Sequence, residues 1–227
     1  MDWLGYSPAD LVPFSRETWL RLVADYNAKH LPAVLTGLGS GVLVLWLVAG
    51  AAAWRLRLAE ALLVPSWLWI AWAFLHQALG PLLWAADWLA LGFALQGLLL
   101  LLSALIPLRV GDERWRGSVL AAWCLMASAV VLLPAAQLLS AQAPAALSWF
   151  GSAPTPTAVA TLALAVLIPG PRAWLLLSVP LFWCMLASAA QGVFGDPLWP
   201  LPAIAAVLAV LLRLMPWAKR PAPAGHP

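Results

Sequence analysis

The chain has 227 residues, 64% of them hydrophobic and only 9% charged, and its mean hydropathy is +0.90. A soluble domain carries about 25% charged residues, so this chain has too little polar surface to fold in water, and lipid is its expected solvent. The net charge of +3 comes from scattered Lys and Arg residues, which suit a collar facing lipid headgroups and not a stripe for nucleic acid.

The chain opens on an irregular lead with two prolines, over residues 1–13. It carries Asp2 and no Lys or Arg, so no cleavable signal peptide is visible and the first span is expected to direct insertion. Ser15 then reads as an N-cap, with a helix to about His30. Glu17, Arg21, Asp25 and Lys29 are spaced four apart and form a charged stripe, while Trp19, Leu22, Val23 and Tyr26 occupy another face. Such a helix lies on the bilayer, caps a bundle, or simply leads into the first span.

Apolar runs follow at spanning length. A first span is expected over about residues 31–53, with Gly37 and Gly41 in the GxxxG spacing that admits a neighbouring helix backbone. Arg55 and Arg57 follow it. A second span, residues 61–79, holds Trp67, Trp69 and Trp72 and closes on Phe74, His76 and Gln77. The third, residues 85–107, has no charge between Trp88 and Ile106 and one strong polar group, Gln96. At about 1.5 Å per residue it crosses a hydrocarbon core of about 30 Å.

Residues 109–116 are the densest charge cluster and read as a cytoplasmic loop. A fourth span, residues 118–139, should kink at Pro134. Residues 140–156 lack Lys and Arg and form the longest external loop. The fifth span, residues 157–168, is short for a crossing, so it extends back toward Pro156 or is partly re-entrant. The sixth covers residues 173–191 with Pro180 inside, and the seventh residues 203–215 after a rigid external turn. The division is an external interfacial segment over 1–30, a transmembrane bundle over 31–216 and a cytoplasmic Pro-rich tail over 217–227.

Basic residues fall mostly on one side of this arrangement. Arg55, Arg57, Arg109, Arg114, Arg116, Arg172, Arg213, Lys219 and Arg220 share it, against Arg16, Arg21 and Lys29 on the other. The positive-inside rule puts the C-terminus in the cytoplasm and the N-terminal helix outside, in a bacterial inner membrane, with about seven spans. Sixteen Trp residues supply interfacial anchors, among them Trp54, Trp84, Trp88, Trp115, Trp149, Trp174, Trp199 and Trp217. Cys124 and Cys184 each sit inside an apolar run without a CxxC partner and read as packing residues.

Few residues are candidates for chemistry. His76 lies about one turn from the outer end of the second span, where an ionisable group faces protein or a water-filled cavity. With His30 and Asp87 on the same side, it could ligate a metal or haem. No HxxxH or HxxE spacing accompanies them, and the bland alternative is a His76 bonded to a carbonyl or Gln within the bundle. Gln96, Gln137 and Gln191 are the other strong polar groups within or at the ends of spans, and Gln96, near mid-membrane, is expected to join helices by hydrogen bonds ahead of binding a substrate. No Asp, Glu, Lys or Arg is expected at mid-membrane, which argues against a proton-coupled carrier. Thr155, Thr157 and Thr161 offer hydroxyls where residues 150–157 enter the fifth span. They read as a capped helix start, or as a small binding site facing His76 across an outer vestibule. Phosphate loops, nucleophile elbows and HExxH zinc motifs are absent.

The Pro13–Phe14–Ser15–Arg16–Glu17 lead, Tyr26–Asn27, the aromatic span closing on His76 and the Phe-Gly-x-x-Pro-x-Pro-Thr stretch of residues 150–157 together resemble a set of uncharacterised bacterial integral membrane proteins. These form a domain family of unknown function, sometimes labelled permeases, and the resemblance covers most of the chain. Members often carry Cys between the two prolines of the external motif. Thr155 stands there in this chain, so no thiol-dependent role carries over. The resemblance implies a polytopic inner-membrane protein and supplies no activity.

The expectation is an all-α polytopic bundle that is more readily a binding protein than an enzyme. It would be a small permease-like or accessory subunit taking a ligand or partner within the membrane, with His76, Gln77, Gln96, Thr155 and Thr157 as candidate contacts. A haem- or metal-binding redox subunit or enzyme using His30, His76 and Asp87 is the first alternative, and a structural scaffold the second. Its cofactor is undetermined. Its partners are the bilayer and a membrane-protein partner or a second copy, with no nucleic acid.

Overall fold

A computed structural model describes residues 12–50, 52–108, 116–140 and 142–215. Most of the N-terminal lead, the 109–115 loop and the 216–227 tail, with the charges expected on them, lie outside the described residues. Among those described there are eight helices and no strand. They are α1 (Arg16–Lys29), α2 (Leu31–Gly50), α3 (Ala53–Leu79), α4 (Ala86–Leu105), α5 (Gly117–Leu139), α6 (Pro154–Leu167), α7 (Arg172–Val193) and α8 (Pro200–Leu214).

Five of them, α2, α3, α4, α5 and α7, are long and apolar enough to cross a membrane. The seven expected spans are thus five full-length helices and two short ones. Large apolar side chains such as Leu35, Trp46, Leu101, Leu132, Phe182 and Leu211 stand exposed around the bundle. Water would penalise such a sheath, and a hydrocarbon surround matches it. The molecule is a membrane-embedded helical bundle.

α1 starts where expected. Ser15 caps it by accepting the Thr18 amide, and Arg21 and Glu17 pair at 2.6 Å on its exposed stripe. Its other face buries Val23, Tyr26 and Asn27. Asn27 donates to the carbonyls of Ala145 and Leu147 at 2.8 and 2.9 Å, which fixes α1 across the loop before α6. α1 therefore caps the bundle.

Two helices carry widened turns. The last ten residues of α3, Ile70–Leu79, wind as a π-helix. In α5 a π turn spans Ser128–Leu132, where the Leu133 amide reaches back five residues to the Ser128 carbonyl. Pro134 follows at once. A proline has no amide to donate and crowds the preceding turn, and the widened turn stands directly before it.

α3 corrects the expected start of the second span. The helix begins at Ala53, not at residue 61, so Arg55, Arg57 and Glu60 lie within its first two turns. Its 27 residues extend about 40 Å.

α6 is the axis of the fold, packed against α3, α5, α7 and α8. Every residue in it except Thr155 is buried. At about 21 Å it is shorter than a hydrocarbon core, for a reason visible in the preceding loop. Leu147, Phe150, Ser152 and Ala153 are buried, so the loop enters the bundle and the helix starts part-way in. Its far end reaches the Gly170 turn, whose carbonyl accepts from Arg213 at 2.8 Å. Irregular backbone at this depth is tolerated because protein surrounds it. The glycine face of α2 makes room for it. A Cβ on Gly41 would stand 2.7 Å from the Phe150 ring, so the GxxxG spacing admits a loop here, not the expected neighbouring helix.

Candidate functional site

The end of the bundle under α1 holds a recess in two adjoining parts. The larger is a cavity of about 140 Å³ whose walls include Phe14, Leu79, Leu89, Leu186 and Ala190. The smaller is a polar notch of about 30 Å³ bordered by Arg16, Gln137, Gln142, Ser148 and Asp196. Trp19, Thr155, Trp183, Gln191 and Phe194 line both, so the two lie side by side. An apolar cavity near 150 Å³ holds a benzene-sized body, and 30 Å³ has space for one or two waters.

Aromatic packing roofs the recess. The Trp19 ring lies 6.2 Å from Phe14, 6.4 Å from Phe194 and 5.8 Å, edge-on, from Phe74. At the wall, Trp183 meets Phe93 edge-on at 5.0 Å and donates its indole N–H to the Thr155 hydroxyl at 3.2 Å. Thr155 sits here because the loop delivers the chain to α6 with its second residue facing α7. Arg16, the first residue of α1, reaches Asp196 at 3.8 Å, and Asp196 in turn accepts the Leu198 amide at 2.9 Å. The Arg16 Nε is buried and has no hydrogen-bond partner among the described residues. A buried guanidinium N–H left in that state costs free energy that an acceptor in the notch would recover.

The candidate residues read from the sequence are brought together only in part. His76 Nδ1 meets Asp87 Oδ1 at 2.7 Å, with both side chains largely exposed, so these two do converge. His30 stands apart, stacking edge-on against Trp69 at 5.4 Å and tilted against Tyr26 at 5.0 Å. No group of three or more His, Cys, Asp or Glu side chains gathers at metal-binding spacing among the described residues. Gln77 and His30 line an open groove of about 390 Å³ between α1 and α3, together with Arg21 and Asp25. His76 lines neither this groove nor the recess that holds Thr155.

Gln96 is fully buried and donates to the Leu176 carbonyl at 3.0 Å, tying α4 to α7 as expected. Thr157 is buried and committed to backbone. It accepts the Gly151 amide at 3.0 Å and donates to the Ala153 carbonyl at 2.9 Å, which closes the start of α6 from within. Thr161 continues that line, accepting the Trp67 indole N–H at 2.9 Å.

Two ionisable groups at this end are shifted by their surroundings. Burial pushes the Tyr26 hydroxyl up to about 12, and the hydrogen bond donated by Trp69 at 2.8 Å works the other way. Burial, and secondarily the Lys29 ammonium, hold the His30 imidazole below its ordinary range.

Sequence reasoning passed over Arg16, Asp196, Trp183 and Glu60. The first three come together from distant parts of the chain, and nothing local announces them. Glu60 had a signal. Leu56, Ala59, Leu63 and Trp67 repeat at helical spacing, and Glu60 falls inside their stripe once the helix is extended back to Ala53.

The model of a family of unknown function, DUF6064, matches residues 16–220. Neither a curated protein nor a solved structure matches the chain.

Proposed function

The chain belongs to the family of unknown function DUF6064, and from that premise we propose that it is a small permease-like or accessory membrane subunit that binds an amphipathic ligand in the recess under α1. The ligand has a ring-sized apolar body and a polar end that accepts hydrogen bonds. One observation carries this reading: Arg16, whose Nε is buried and has no hydrogen-bond partner among the described residues, borders a polar notch that shares five lining residues with an apolar cavity beside it. Ligand sites are mostly apolar with a few convergent polar groups that set orientation. The proposed setting is a bacterial inner membrane with α1 outside, and support comes from the basic residues Arg55, Arg57, Arg172 and Arg213 in the loops and helix ends assigned to the opposite side. The apolar sheath leaves faces for a membrane-protein partner or a second copy.

The test uses protein purified in detergent and three probes of one size: phenylacetate, benzyl alcohol and phenethylammonium. Thermal unfolding is followed as each is added. A saturable rise in Tm, largest with phenylacetate, is expected. Ala190→Phe should abolish the rise by filling the cavity, and Arg16→Gln should remove the preference for the anion. If none of the three gives a saturable rise, the reading fails.

A second reading rests on the His76–Asp87 pair. A carboxylate on Nδ1 orients an imidazole for ligation through Nε2. Haem or metal bound there would appear in the visible absorption spectrum or metal content of the purified protein, and a colourless, metal-free preparation sinks it.

A further inference from the structure

Glu60 is the one fully buried acidic side chain among the described residues, and it sits inside a helix long enough to cross the membrane. Its Oε1 accepts the Ser103 hydroxyl of α4 at 2.6 Å, while its Oε2 is buried and has no hydrogen-bond partner. None of the three ion pairs among the described residues involves it. Arg57, one turn earlier on α3, donates its Nε to the Ala104 carbonyl at 2.7 Å. Arg172, at the start of α7, is the other described charge close enough to act on it. Facing α2 and α6 carry no titratable side chain, and the only one on α4, Asp87, lies at that helix's opposite end.

A carboxylate removed from water needs several donors or a contacting cation. Among the described residues this one has a single hydroxyl donor in contact. Its second oxygen faces protein on all sides, and none of the cavities described above reaches it, which leaves the proton as the ligand small enough to enter. The two arginines lie close enough to stabilise the anion once the site opens. Neither charge state is therefore held outright, as suits a group that changes state. An ionisable residue within a spanning helix is a functional-site hypothesis by default.

We propose that Glu60 is an exchangeable proton-binding site within the bundle. In the closed bundle the proton resides on Oε2. When water reaches the buried Oε2, the O–H bond breaks, the proton passes to that water, and the carboxylate remains as a counter-ion for Arg57 and Arg172. Uptake reverses each step, and no other reactant takes part. The site lies apart from the recess under α1 and does not depend on that reading.

The test is infrared spectroscopy of the full-length protein in detergent, reading the carbonyl stretch of a protonated carboxyl group from mildly acidic to mildly alkaline pH. The wild type should show this band, with a downshift in heavy water and a loss of intensity as pH rises. Glu60→Gln should remove it. Ser103→Ala, a milder change that removes the hydrogen bond to Oε1, should move its frequency, and it serves if the first variant does not fold. A band that persists in Glu60→Gln, stays inert to pH and heavy water, ignores Ser103→Ala, or never appears in the wild type would overturn the proposal.

Discussion

Gly37 of α2 and Gly151 of the loop before α6 meet backbone to backbone. A Cβ on Gly37 would lie 2.6 Å from the Phe150 carbonyl oxygen, and one on Gly151 would lie 2.7 Å from the Gly37 Cα. Gly151 also has φ of +77°, a conformation that side chains other than hydrogen resist. The fold depends on this contact, because it seats the loop that lets a short helix serve as the axis.

Gly37→Ala should therefore lower stability by about 1–3 kcal/mol through overpacking. Gly151→Ala should cost about 1–2 kcal/mol more, because it adds left-handed backbone strain. Gly39 has open space where a Cβ would stand, so Gly39→Ala is expected to be neutral or stabilising by up to about 1 kcal/mol. Thermal unfolding of the three variants in one detergent checks the order.

Asn27 holds two loop carbonyls with one amide. Asn27→Ala should cost about 1–3 kcal/mol by stranding them. Asn27→Asp should cost more, since it sets a carboxylate oxygen against two carbonyl oxygens. Limited proteolysis within residues 142–149 should accelerate in both variants, and more in the second.

Tyr26 gives a pH dependence of known sign. Its hydroxyl is raised from 10.0 to about 12 in the folded protein, so the unfolded chain loses this proton first. The stabilisation is complete below pH 10 and is lost as pH rises toward 12. In a Tyr6→Phe background, phenolate absorbance reports Tyr26 alone and should appear only near the upper value. Trp69→Phe, which removes the donor to the hydroxyl, should delay it further.

The His76–Asp87 pair is short but exposed, and exposed pairs contribute about 0–1 kcal/mol. His76→Ala and Asp87→Ala should each change stability by less than about 1 kcal/mol. A double-mutant cycle should return a coupling within that limit that shrinks with added salt.

The legible part of this fold is the part that local chemistry controls. Ser15 announced the start of α1, the uncharged run from Trp88 to Ile106 announced α4, and Gln96 was read correctly as a tie between helices. The shortness of the fifth apolar run was visible too, with re-entry as one of two explanations. The site was less legible. Thr155 lies in the recess, but His76 lies elsewhere, and Arg16 reaches Asp196 across 180 residues of chain.

By itself the sequence determined the class: an all-helical chain whose apolar runs are too long and too poor in charge for water. Only the tertiary structure decided that α6 is the axis, that a loop and not a helix fills the glycine face of α2, and that Glu60 points inward. The reason is the solvent. In water a helix shows its buried side by the contrast between apolar and polar faces, whereas in lipid both faces are apolar and the contrast vanishes. The length of a run survives in the sequence, and its orientation comes from side chains that meet only when the bundle closes.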